Sequence, residues 1–215
     1  MVLVDTAPDL RLQTAAAGIR HVDAVLYTHD HADQTHGIDD LRAFMLSANG
    51  RRVPCYMEPY TYAQLTRRFD YIFFGEGGYP PITEAREMPA YGQPFAVDGP
   101  GGPVPITAFE QDHGVVRSAG FRLGGLAYSS DLVDLPPESF DVLAGVDVWI
   151  VDALRWKPHP THAHVGRALE WIARVRPRRA VLTNLHLDLD YNALAAQLPA
   201  GVEPAYDGMT LEVSL

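Results

Sequence analysis

Six times along this chain an apolar run stops at, or shortly before, a side chain able to ligate a metal ion. Asp5 follows Met1–Val4. His29, His31 and Asp33 follow Val22–Leu26. His113 follows Val104–Glu110, and Asp131 follows Leu126–Ser129. His159, His162 and His164 follow Asp147–Val151, and His186 follows Ala180–Thr183. A single polar residue after a strand is ordinary solvation. A rhythm of six constrains the fold, because strand ends along one sheet are where a rigid scaffold gathers side chains from distant parts of a chain.

Helices alternate with these strands. Pro8–Ala17 has proline near its start and Gly18 after its end, the usual asymmetry of helix punctuation. Ile38–Ser47, Pro59–Phe69, Glu138–Ala144, Val165–Val175 and Tyr191–Leu198 also read as helices, and the last residues as one or two edge strands. Phe121–Leu123 and Leu126–Ser129 read as a hairpin across Gly124-Gly125. The class is therefore α/β, or mixed α+β. Residues 71–102 are broken by glycines and prolines and read as irregular hairpins and a long loop, a lid or substrate wall. The chain opens directly on a strand that sheets ordinarily pair from both sides, so N-terminal strands are expected to be missing.

At 215 residues there is room for one sizeable core, and the expectation is a single domain over 1–215. The net charge of −10 argues against a broad basic face, which leaves only a local cluster at Arg174, Arg176, Arg178 and Arg179 for nucleic acid. Nucleic acid is therefore not the expected partner. Cys55 is the only cysteine, so no intrachain disulfide can form and a reducing cytoplasm is the simplest compartment. No apolar stretch approaches a membrane span. A homodimer is an assembly open to such a chain.

The densest ligand cluster lies in Tyr27–Gly37. If the backbone there is extended, residues two apart project to one side, which aligns His29, His31 and Asp33. Imidazoles and carboxylates are ligands that zinc and similar divalent ions accept.

The order of Asp5, His29-Asp30-His31-Ala32-Asp33-Gln34, His113, Asp131 and His186 resembles the five motifs of the metallo-β-lactamase superfamily. Val4–Arg11, Thr35–Arg42 and His162-Ala163-His164 are similar to its phosphodiesterase branch, which includes phosphoribosyl cyclic phosphodiesterases and tRNA 3′-processing endonucleases. The resemblance implies a four-layer αβ/βα sandwich and a pair of divalent ions, zinc or manganese. His29, His31 and His113 would hold the first, Asp33 and His186 the second, and Asp131 would bridge them. Such a pair supplies hydroxide at neutral pH and neutralises charge building on a phosphoryl group. Asp33 would orient the hydroxide. His162 would contact the phosphate or protonate the leaving oxygen, with His159 at the rim, and Asp5 would fix an imidazole from behind.

Gln34 stands where the family has a histidine ligand, so the second ion is expected to be weakened or lost. The function implied is a metal-dependent phosphodiesterase for a small cyclic or nucleotide-like phosphate. The alternatives are a hydrolase of another ester or lactone on the same fold, or a degenerate domain that binds metal or nucleotide without turnover.

Overall fold

A computed structural model describes all 215 residues. The chain forms two compact units, residues 1–88 with 97–103 and residues 89–96 with 104–215. No helix is long and apolar enough to cross a membrane.

The first unit carries strands β1 (Val2–Val4), β2 (Ala24–Leu26), β3 (Val53–Met57) and β4 (Thr83–Glu87), in that spatial order and all parallel. Every residue of β2 is buried, as expected of a parallel strand covered on both faces. β1 lies at the sheet edge with β2 as its neighbour. The helices are α1 (Leu10–Ala16), α2 (Ala32–Thr35), α3 (Leu41–Ser47), α4 (Pro59–Arg68) and α5 (Asp70–Phe74), with a single 3₁₀ turn at Ile38–Asp40. Proline opens α4, where its missing N–H leaves no internal bond unmade. Val25, Tyr27, Ile38, Leu41, Leu65, Ile72 and Ile82 form the core.

Two expectations need correction here. Residues 71–102 are not an irregular lid, because they hold the end of α5, all of β4 and the strand β5 (Pro94–Gly99). Glu84 to Glu87 are all exposed, so β4 shows none of the apolar alternation by which a strand is read. α2 was also unforeseen, and it places Asp33 in a helical turn.

The loop after β1 is tied to the loop after β2. Thr6 N–H donates to the Gln34 carbonyl at 2.8 Å and Gly37 N–H to the Thr6 carbonyl at 2.9 Å. A Cβ on Gly37 would lie 2.1 Å from the Ala7 carbonyl oxygen. Gly37→Ala must push these loops apart and is expected to destabilise the protein by about 1–3 kcal/mol, the range for overpacking. Urea unfolding checks this, and an unchanged midpoint would contradict it. Arg68 of α4 holds the second loop from its far side, donating to the Asp30 carbonyl and, at 2.6 Å, to Asp30 Oδ2.

The second unit carries most of a seven-stranded sheet, of which residues 97–99 of β5 and 102–103 of the strand after it count with the first unit. The strands of this sheet are β5, β6 (Gly102–Asp112), β7 (Arg117–Leu123), β8 (Leu126–Ser129), β9 (Val148–Asp152), β10 (Arg179–Thr183) and β11 (Val202–Pro204), ordered β11-β10-β9-β8-β7-β6-β5. β6, β7 and β8 pair antiparallel, whereas β8 to β11 are parallel. Helices α6 (Pro137–Leu143), α7 (Val165–Val175) and α8 (Tyr191–Gln197) accompany them. Trp149, Val151, Ala168, Trp171, Leu182 and Leu194 belong to its core. Ser129 is in register with Val151, and Asp152 with Thr183. β8, β9 and β10 therefore deliver Asp131, Asp152 and Asn184 to the same end of the sheet.

Candidate metal centre

In the first unit the ligand cluster is built on Asp5. This residue follows β1 with φ of 62°, a left-handed conformation that aspartate tolerates better than most. Asp5 Oδ1 accepts from Thr28 N–H at 2.8 Å, and Oδ2 accepts from the Thr28 hydroxyl at 2.9 Å. Having donated its proton, Thr28 Oγ1 accepts from His29 Nδ1–H at 2.9 Å. That fixes the tautomer and puts the lone pair of His29 on Nε2, the nitrogen able to ligate a metal. Asp5 thus orients His29 through Thr28. The His31 ring stands edge-on to that of His29, with centroids 4.5 Å apart.

The alternating pattern stops at His31. Asp33 is exposed in the first turn of α2 and accepts from Gln34 Nε2 at 3.3 Å. His36 packs edge-on against Phe69. His21 is exposed and lies 3.5 Å from Asp23.

In the second unit His113 is buried, and its Nδ1 donates to the Thr161 carbonyl at 2.7 Å, which again leaves Nε2 to ligate. Asp131, with φ of 54°, stands beyond β8. The end of β9 supplies Asp152, fully buried. Its Oδ2 accepts from His162 Nδ1–H at 2.9 Å and from Leu132 N–H at 3.2 Å, while Oδ1 has no hydrogen-bond partner. Burial pushes the Asp152 carboxyl up to about 6, against the pull of His162. Asp131, Asp152 and His162 each offer an atom within 4.8 Å of the others. The rings of His113 and His159 lie 4.9 Å and 5.2 Å from that of His162. Partial burial and then His162 hold His159 below its ordinary pKa.

At the end of β10 the surroundings of His186 differ from those of a buried ligand. His186 is half-turned to solvent, its Nδ1 3.2 Å from Asp188 Oδ2 and accepting from Asp188 N–H. The residue at the tip of β10 that meets Asp131 is Asn184, whose Nδ2 donates to Asp131 Oδ1 at 2.8 Å. His162 lies before α7, as the helix bounds Val165–Val175 imply, and His164 caps that helix, accepting from Arg167 N–H. Asp152 and Asn184 were not foreseen as site residues. Both are the polar residue at a strand end, the signal that found Asp5 and Asp131.

Two-sheet α/β architecture with strand-end His and Asp groups defines a metal-binding class of protein. In His29 and in His113 the protein takes up Nδ1 and presents Nε2, so each has the chemistry of a metal ligand. Residues 1–184 match the family described as the beta-lactamase superfamily domain. The crystal structure of a new diphosphatase from the PhnP family has a TM-score of 0.87 at 33% identity, covering 100% of this chain and 80% of that one. Zn²⁺-bound PqqB from Methylobacterium extorquens shares the fold at a TM-score of 0.72 and 20% identity, over 99% of this chain and 83% of that one. So does the short form of human tRNase Z, at 0.69 and 16%, over 100% and 88%. The chain belongs to the metallo-β-lactamase superfamily, in the branch of the PhnP-family diphosphatase. An octanoyltransferase from Porphyromonas gingivalis is 30% identical over 213 residues, which is 97% of this chain. The chain spans 41% of that protein's length.

Proposed function

We propose that the chain is a metal-dependent phosphodiesterase acting on a small phosphate ester or anhydride. The observation that carries the reading is the pairing of partly buried His162 with fully buried Asp152 beside Asp131, in a chain 33% identical to a diphosphatase. By the family resemblance, His29, His31 and Asp33 of the first unit are zinc or manganese ligands, and so are His113 and Asp131 of the second. When bound, such an ion acidifies water and offsets phosphoryl charge.

The rest is the work of the chain itself. Asp152 takes up Nδ1–H of His162 and so turns Nε2 toward the substrate. The carboxylate raises the proton affinity of the ring, which suits Nε2–H to hold a phosphate oxygen and then to protonate the leaving oxygen. His159 stands beside it as a rim contact. His186, turned toward Asp188, is assigned to the rim as well.

A small substrate suits the charge pattern. Of the four arginines that could have made a basic patch, Arg174 lies over the Phe140 ring, Arg178 pairs with Asp147 and Arg179 with Glu203. The reading places the enzyme in the cytoplasm.

The test is hydrolysis of bis-p-nitrophenyl phosphate with added manganese or zinc, beside p-nitrophenyl octanoate. Turnover of the phosphodiester, lost on chelation, is the expected result. Turnover of the octanoate ester alone would favour the second reading, acyl-ester hydrolysis, whose support is the octanoyltransferase relative. No turnover of either would point to a binding domain.

A further inference from the structure

The end of β10 bears on how many ions the chain can hold. Asn184 has φ of 60° and Asp131 has φ of 54°. Their side chains meet across one end of the sheet, Asn184 Nδ2 to Asp131 Oδ1 at 2.8 Å. The orientation of the amide is forced, since turning it would set its carbonyl oxygen against a carboxylate oxygen. Its NH₂ group therefore faces Asp131, and an amide N–H donates where a ligand would have to offer a lone pair. Oδ1 also receives the Ser130 hydroxyl at 3.2 Å. An oxygen that accepts these two hydrogen bonds is poorly placed to reach a second cation. His186, the imidazole nearest in sequence, is engaged with Asp188.

We infer that this chain holds one metal ion, and that the Asn184 amide takes the place of a second by hydrogen-bonding Asp131. Gln34 is the independent companion observation, because a carboxamide also stands there where the family resemblance has an imidazole. The inference rests on the metal-binding part of the proposed function. It adds that Asp131 is a ligand of one ion rather than a bridge between two. Asn184 then positions Asp131, and its amide partly neutralises the carboxylate.

The test is the metal content of the purified protein, loaded with excess zinc or manganese and passed through a desalting column. One ion per chain is expected. Two tightly held ions would overturn the inference and leave the phosphodiesterase reading standing, whereas none would sink both. The second arm is Gln34→His with Asn184→His. Histidine is among the residues that tolerate a left-handed backbone, so the fold at position 184 is retained, which circular dichroism checks. This variant is expected to take up a second ion. A folded variant that still holds one overturns the assignment to these two positions. The wild-type count decides the inference even if the variant fails to fold.

Discussion

His29→Ala is expected to strip the metal from the protein and to lower phosphodiesterase turnover by more than about a hundredfold. The scale comes from the partners of ligands, whose loss typically lowers affinity or activity ~10–100-fold. Removal of the ligand itself should exceed that. His29 is held by a chain of three groups, Asp5 to Thr28 to His29 Nδ1. Thr28→Val cuts the chain and keeps the shape, so a loss of about 10–100-fold is expected there. Metal content and turnover measured on both variants check the pair. If Thr28→Val matched wild type in both, Asp5 and Thr28 would be structural only.

The second large effect is that of Asp152→Asn, which is expected to slow turnover by at least about tenfold while leaving the fold as stable or more so at neutral pH. An asparagine can donate to His162 Nδ1 and so select the wrong tautomer, the fault that disables histidine bases when a carboxylate partner becomes an amide. Stability moves in the opposite sense. The Asp152 carboxyl sits at about 6 in the folded protein, raised by burial, against ~3.9 in an unfolded chain. Between those values the folded state binds the proton more tightly. This contribution is fully present below about pH 4 and is lost as pH rises through 6. Above pH 6 the buried charge opposes folding by about 3 kcal/mol, and the amide removes that opposition. Denaturation midpoints at pH 4.5 and 7.5, with kcat at the higher pH, test both halves. A variant clearly less stable than wild type at pH 7.5 would contradict the argument.

The sequence was most informative where chemistry and periodicity coincide. Asp5, His29, His31, His113 and Asp131 each follow an apolar strand, and each is buried or half-buried in the fold. Asp33 was less legible, because alternation holds only while the backbone stays extended and α2 begins at Ala32. His186 is the residue that the family resemblance assigns, and Asn184 carries no such assignment. The feature that decides between them is the left-handed turn directly after β10, which sends Asn184 to Asp131 and carries the chain onward before His186. Asp152 carries no signal of its own in the sequence, since one carboxylate does not reveal that a histidine ten residues later folds back onto it. β4 was missed because a strand exposed on both faces carries no hydrophobic period.

That same strand governs how the first sheet meets other chains. β4 is an outer strand whose free edge offers backbone donors and acceptors, the usual template for unwanted cross-β pairing. It carries Glu84, Arg86 and Glu87, all in solvent, with Glu84 and Arg86 paired at 2.9 Å. A foreign strand docking there would have to dehydrate those charges. The cluster acts as a gatekeeper, guarding the sheet against fibrous self-assembly while the chain is crowded at high concentration.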